Sequence, residues 1–295
     1  MSDGTGPRRI AVVAKTGSSA AAGAARELIG WLERRGLVVL VDAATAAACG
    51  LAGSAPFAEG TACDLIVVLG GDGTLLGVAR HAAGGPPILG VNLGRLGFLT
   101  EVPREGLYPA LVDVLAGRFS TEARSLFDVE VRTRDGARRS FRALNDVVIA
   151  KSALSRIIEL QLDVDGGAVS RYRSDGLVIS TPTGSTAYNL SAGGPILHPL
   201  LPVAVITPIC PHTLTLRPLV VPDTSVIEVT LESRDGGAVS PIDRVHLTVD
   251  GQEGGELDFG DRVRITRAAE SARLVRTSER TTIFEGLRNK LHWGE

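Results

Sequence analysis

The spacing of apolar residues changes character near residue 120. Before that point, short apolar runs alternate with helical periodicity. Arg9 to Ala14 (RIAVVA) has the nearly unbroken apolar character of a strand buried on both faces. From Ala20 to Arg35, the residues Ala24, Leu28, Trp31 and Leu32 recur at helical spacing, and Gly36 is placed to end that helix. Leu37 to Val41 predicts a second strand, whereas the alanine-rich stretch 43–55 is compatible with either helix or loop. Asp64 to Leu69 (DLIVVL) is the clearest strand. It is followed by a helical pattern from Leu75 to Ala83, a strand at Pro87 to Val91 and a helix at Leu107 to Ala116. Strands alternating with helices predict an open, mostly parallel sheet covered on both faces.

Beyond Ser120 the period falls to two. Phe127-Asp128-Val129-Glu130-Val131 alternates strictly, and Asp135-Gly136 is a turn signal. Strand-like runs recur at Ala143 to Ala150, Ile157 to Val164, Leu177 to Ser180, Val203 to Ile206, Ser225 to Leu231, Val245 to Val249 and Val263 to Thr266. Asp165-Gly166-Gly167 and Asp235-Gly236-Gly237 read as turns between them. Helical spacing returns only at the end, where Phe284, Leu287 and Leu291 share a face. The pattern predicts an α/β domain over residues 1–120 and an all-β, sandwich-like domain over 121–275. The C-terminal segment, 276–295, is expected to pack back on the first domain.

Composition excludes several classes. With 44% hydrophobic and 22% charged residues and a net charge of −2, the chain resembles an average globular protein. It has no dense basic run of the kind that binds nucleic acid. No apolar run approaches the roughly 20 residues of a membrane span, and the polar start Met1 to Arg9 has no signal-peptide core. Cys49, Cys63 and Cys210 are scattered and odd in number. They fit a reducing cytoplasm better than a disulfide framework or a zinc site. The five histidines show no ligand spacing.

The sharpest local feature is Gly70-Gly71-Asp72-Gly73-Thr74, between a strand and a helix. Glycines let the chain turn tightly and bring backbone N–H groups up to a ligand, and a helix N-terminus beyond such a turn attracts phosphate. Thr74 can cap the helix or touch phosphate. A carboxylate repels phosphate, so Asp72 has three readings: a helix cap, a ligand for a divalent metal, or the acceptor of a proton from an attacking hydroxyl. The turn is neither a Walker A loop, since no Gly-Lys-Ser/Thr follows, nor a Rossmann fingerprint, since Leu76 stands where the third glycine belongs.

Two further segments stand out. Asp175 to Tyr188 (DGLVISTPTGSTAY) continues as Asn189-Leu190-Ser191-Ala192-Gly193-Gly194-Pro195, a hydroxyl-rich loop suited to a ribose-bearing ligand. No serine lies in a G-x-S-x-G context, which argues against a serine hydrolase. Asn145-Asp146 puts two adjacent polar residues into an apolar strand, as a strand end or a binding pair would. Arg171-Tyr172-Arg173 offers phosphate-binding charge or simply an exposed strand face.

Taken together, these segments resemble the NAD kinase family. The resemblance rests on the Gly-Gly-Asp-Gly-Thr turn, the Asn145-Asp146 pair, the loop from Asp175 through Ser-Ala-Gly-Gly-Pro-Ile-Leu, and Pro208 to Leu214 (PICPHTL), all in the family's order. Asp250-Gly251-Gln252-Glu253 is a looser counterpart. The turn by itself is shared with diacylglycerol, sphingosine and 6-phosphofructo-kinases, so it points to phosphoryl transfer; the long loop points to the acceptor. The resemblance implies an N-terminal α/β domain, a sandwich-like C-terminal domain and NAD bound between them. It implies Asp72 as proton acceptor for the ribose 2′-hydroxyl, with Gly73 beside it and Gly70, Gly71, Gly73 and Thr74 at the donor phosphates. Asn145 and Asp146 match the pair that contacts the adenosine ribose, with aspartate here where many members carry glutamate. Arg156, Arg173 and Asp175 fall on substrate-contact positions, as do Thr186, Ala187, Tyr188, Asn189, Leu190, Ser191 and Gln252; residue type varies at the Arg156 position. The substrates implied are NAD and ATP, or polyphosphate as donor, with a divalent cation such as Mg2+. The partner implied is a second copy of the chain, in a homodimer or homotetramer that supplies part of the NAD site. The rival readings are a lipid or sugar kinase with the same turn, and a catalytically silent NAD-binding protein.

Overall fold

A computed structural model describes residues 6–51, 55–58, 60–94, 97–152, 156–213, 215–232, 244–277 and 283–291. The turn expected at Asp235-Gly236-Gly237 lies outside these residues. The chain divides into two compact units, residues 1–123 with 272–295, and residues 124–271.

The first unit begins β1 (Arg9–Ala14), α1 (Ser19–Glu33), β2 (Val38–Val41), α2 (Ala43–Cys49), β3 (Ala55–Pro56) and β4 (Leu65–Gly70). It continues α3 (Asp72–His81), β5 (Ile88–Asn92), β6 (Val102–Pro103), α4 (Leu107–Leu115) and β7 (Ser120–Arg124). The ambiguous alanine stretch resolves for a physical reason. Asp42 caps α2 by accepting from the Ala44 and Thr45 amides, and Gly50 ends it in the left-handed region at φ 65°. Helix α3 starts three residues earlier than its apolar spacing indicated. Asp72 and Gly73 belong to its first turn, where intrahelical donors are unpaired in any case and a glycine costs little.

The second unit contains β8 (Phe127–Arg132), β9 (Arg138–Ala143), β10 (Asp146–Lys151), β11 (Ile158–Val164), β12 (Gly167–Ser174) and β13 (Gly176–Ser180). The one-turn helix α5 (Tyr188–Ser191) follows, then β14 (Val203–Ile209), β15 (Leu219–Pro222), β16 (Ile227–Glu232), β17 (Val245–Val249), β18 (Gln252–Leu257) and β19 (Arg262–Arg267). These strands form two antiparallel six-stranded sheets, ordered β15-β14-β13-β10-β17-β18 and β12-β11-β16-β19-β8-β9. Period-two alternation sends Val129, Leu160, Leu162 and Ile265 of one sheet and Val147, Ile149, Ile179 and Leu247 of the other into one shared apolar core.

The chain then returns to the first unit as β20 (Ala272–Arg276) and α6 (Ile283–Leu291). Residues 272–275 of β20 lie within the span 121–275 that the pattern assigned to the all-β domain, yet the strand joins the first sheet. That sheet runs β3-β2-β1-β4-β5-β20-β7, with β6 against β5, and the register places Leu274 opposite Ile88. Five residues of alternating character do not reveal which sheet they join. The deciding contact is polar: the buried Arg276 bonds Glu122 of β7 (3.1 and 3.2 Å) and pairs with Glu101 (2.6 Å). A guanidinium buried there without these carboxylates would be strongly destabilising. Among the described residues, no helix is long and apolar enough to cross a membrane, and Cys49, Cys63 and Cys210 are free thiols.

Candidate active site

In the first unit, β4 is buried from end to end and delivers the chain into the Gly70–Thr74 turn. Gly70 is required by packing, since a Cβ there would stand 2.5 Å from Thr74 Oγ1 and 3.2 Å from Lys15 Cβ. Gly71 and Gly73 differ: a Cβ at either would meet nothing within 4 Å, and neither has a positive φ. Among the described residues nothing requires glycine at these two positions, and a bare backbone there leaves room for close approach of a ligand. Gly71, Gly73 and Thr74 line an open cleft of about 1950 Å³ together with Lys15, Thr16, His81 and Arg273.

Asp72 does not face that cleft, and it does not cap α3. The N-cap of α3 is Gly71, which makes no side-chain capping bond. The Asp72 carboxylate instead reaches across to the chain after β5. Its Oδ1 accepts from the Leu99 amide (3.1 Å), the Thr100 amide (3.0 Å) and the Thr100 hydroxyl (3.0 Å). Its Oδ2 accepts from the Phe98 amide at 2.7 Å. A carboxylate oxygen has about two lone-pair directions, so Oδ1 is saturated, whereas Oδ2 retains capacity for one more donor. A Cβ on Gly97 would overlap this carboxylate, so the segment passes over Asp72 only because residue 97 is glycine.

In the second unit, Asn145 and Asp146 stand at the start of β10. Asp250 holds them there: its carboxylate accepts from the amides of Leu144 (2.9 Å), Asn145 (2.7 Å) and Asp146 (3.1 Å). Asp250 and Gly251, at φ 50° and 72°, form the two-residue turn joining β17 to β18, a conformation that aspartate and glycine tolerate. Asp146 is only 4% exposed. Its carboxyl is pushed up from 3.8 to about 7, first by loss of water and then by the Asp250 charge, while the Tyr188 amide pulls the other way.

The hydroxyl-rich loop folds onto this pair. Thr181 donates through its hydroxyl to the Leu144 carbonyl (2.5 Å) and through its amide to the Asn145 carbonyl (2.9 Å). A Cβ on Gly184 would overlap the Asn145 carbonyl. Thr186, Ala187 and Leu190 are half-buried, and Tyr188 and Ser191 are exposed. Asn189 differs from the expectation of a ligand-facing side chain. It is fully buried, donates to the Ser185 and Pro195 carbonyls and accepts from Thr207 Oγ1, so its amide braces the loop from within.

The structure does not gather every expected residue in one place. Gln252 is exposed beside the Asp250-Gly251 turn, next to Asn145-Asp146. Asp175 lies by the other end of β10, 3.5 Å from Lys151 Nζ. β10 pairs Asp146 with Ser180 but Ala150 with Gly176, so the two ends are separated by roughly 17 Å at about 3.3 Å per residue. Arg173, exposed and 3.4 Å from Glu159, belongs with Asp175, and Arg156 is exposed near the start of β11. Sequence reasoning missed the structural part of Asp250, although Asp-Gly between two alternating runs is a hairpin signal. It also missed Lys15 and the Gly97–Thr100 segment, whose only signal was a polar residue ending or following an apolar strand. Among the described residues, no group of three or more His, Cys, Asp or Glu side chains is placed to hold a metal ion.

An α/β unit whose glycine-opened helix lines an open cleft, accompanied by a two-sheet β unit, offers the phosphate-binding site of a phosphotransferase. The ATP-NAD kinase N-terminal domain matches residues 10–119, and the ATP-NAD kinase C-terminal domain matches residues 144–277. The chain is 49% identical to an NAD kinase of Geobacter sulfurreducens, covering 98% of this chain and 99% of that one. It is 45% identical to an NAD kinase of Solibacter usitatus, covering 96% and 97%. Among solved structures, yeast NADH kinase complexed with NADH superposes with a TM-score of 0.88 at 27% identity, over 98% of this chain and 89% of that one. An Archaeoglobus fulgidus NAD kinase in complex with ATP gives 0.70 at 28% identity, over 96% and 98%. The chain belongs to the ATP-NAD kinase family.

Proposed function

We propose that this chain transfers the terminal phosphoryl group of ATP to the 2′-hydroxyl of the adenosine ribose of NAD, and that Asp72 orients that hydroxyl and receives its proton. The products are NADP and ADP. The observation that carries the role of Asp72 is the unequal use of its two oxygens. Four donors fix the carboxylate, and only Oδ2 retains a lone pair for a substrate hydroxyl. A carboxylate is a weak base toward an alcohol, but in a loose, metaphosphate-like transition state positioning outweighs basicity. Lys15 and the amides at Gly71, Gly73 and Thr74 receive the donor phosphates in the cleft, with the terminal phosphoryl group at the cleft's edge, within reach of a hydroxyl held by Asp72. A divalent cation such as magnesium would enter with ATP and offset the charge of the donor phosphates.

The adenosine ribose meets Asn145, Asp146 and the Thr186–Ser191 loop. Arg156, Arg173 and Asp175 stand some 17 Å along β10 from that pair. A homo-oligomer, dimer or tetramer, would bring these residues to the NAD site of a neighbouring copy. The working compartment is the cytoplasm, where free thiols stay reduced. Label transfer from γ-labelled ATP, with NAD, a diacylglycerol and a hexose as acceptors, tests the reading in the wild type and in Asp72→Asn. Label appears in NADP alone and is lost in the variant. Label on lipid or sugar instead would overturn the acceptor.

A further inference from the structure

The C-terminal helix places a cation beside the proposed proton acceptor. Lys290, near the end of α6, donates from its ammonium group to the Gly97 carbonyl and lies 4.2 Å from the centre of the Phe98 ring. It is partly buried at this point. Desolvation pulls its amine below the usual lysine range, while the neighbouring Asp72 and Glu101 carboxylates push it back. Glu101 in turn pairs with Arg276 of β20 at 2.6 Å. Gly97 and Phe98 begin the segment whose amides and hydroxyl hold Asp72, and Phe98 itself donates to Oδ2, the oxygen with spare capacity. That segment has no strand pairing of its own before β6. Its position over Asp72 is set by the bonds to Asp72, by Asn92, whose Nδ2 donates to Thr100 Oγ1 at 2.9 Å, and, at the Gly97 and Phe98 end, by Lys290.

We infer that Lys290 is a positioning residue for phosphoryl transfer: its ammonium clasps Gly97 and Phe98, and so fixes the direction in which Asp72 Oδ2 meets the substrate hydroxyl. The hydrogen bond and the ring contact together tie the carbonyl and the side chain of adjacent residues to one group, which a neutral side chain of the same length cannot do. The inference rests on the reading of Asp72 as proton acceptor.

The test uses the full chain with Lys290→Met, which keeps much of the stem and removes the charge, and Lys290→Arg, which keeps the charge. In Lys290→Met, kcat falls about tenfold to a hundredfold, the scale of a misplaced reacting group, while KM for NAD and for ATP stays within about twofold. Lys290→Arg recovers most of the lost kcat, and the melting temperatures of both variants stay close to that of the wild type. Wild-type kcat in Lys290→Met would overturn the inference. So would a loss of activity that Lys290→Arg does not rescue, which marks a packing role only. If Asp72→Asn retains activity, the reading of Asp72 fails whatever Lys290 does. If Asp72→Asn is inactive and Lys290→Met is normal, only the role of Lys290 fails.

Discussion

Replacing Asp146 with asparagine removes a buried acid while keeping its shape and its bond from the Tyr188 amide. The carboxyl titrates at about 7 in the folded chain against 3.8 ordinarily. The folded state therefore keeps a proton that the unfolded chain has released between these two values. Where the folded state binds more protons, stability falls as pH rises. The penalty is absent below pH ~4, grows through the window and is complete above pH ~7. A difference of about three pH units corresponds to roughly 4 kcal/mol at full ionisation, which sets the ceiling. Asparagine cannot ionise, so Asp146→Asn escapes the penalty. Its stability advantage over the wild type should grow by about 2–4 kcal/mol between pH 5 and pH 8. The tryptophans, at positions 31 and 293, lie outside the second unit. Urea unfolding followed by far-UV circular dichroism is therefore the assay, rather than tryptophan fluorescence. If the two proteins lose stability in parallel from pH 5 to pH 8, within about 0.5 kcal/mol, the burial argument is refuted.

Asp250→Ala strips the shared acceptor from the Leu144, Asn145 and Asp146 amides. The same urea assay should show a loss of about 2–4 kcal/mol, given the strength of bonds to a charged acceptor; a loss below about 1 kcal/mol would mean that the turn is held by its backbone alone. Gly97→Ala forces a methyl group into the Asp72 carboxylate, so kcat should drop at least about tenfold and the melting temperature should fall as the segment is displaced. Wild-type kcat in that variant would show that the segment need not sit over Asp72.

The main architecture was legible because the two periodicities differ. Buried runs such as DLIVVL and the helical spacing of Ala24, Leu28 and Leu32 belong to one kind of unit, and Phe127 to Val131 to another. Elements without a hydrophobic signature escaped. β18 (QEGGEL) is largely polar with two glycines, and β20 reveals its sheet only through Arg276, which needs Glu122 and Glu101 as partners. Asp72, Asn145 and Asp146 stood out because a charge or amide interrupts an apolar or glycine-rich run. What they touch did not. The donors to Asp72 lie 26–28 residues further along the chain, and Asp250 lies 104–106 residues from the amides it serves. Asn189 shows the converse. A polar residue in a loop reads as a ligand contact, yet its side chain is spent on Ser185, Pro195 and Thr207.

In the proposed reaction, one oxygen of Asp72 takes the proton of the attacking hydroxyl. The direct measurement is the rate of labelled NADP formation from γ-labelled ATP by Asp72→Asn, alongside its melting temperature and its binding of NAD. Asparagine keeps an acceptor for the Leu99 and Thr100 donors, loses the bond from the Phe98 amide and cannot take up the proton. In Asp72→Asn, kcat should fall at least about 10²–10⁴-fold, with folding and NAD affinity close to wild type. Turnover within a few-fold of the wild type would contradict this role of Asp72.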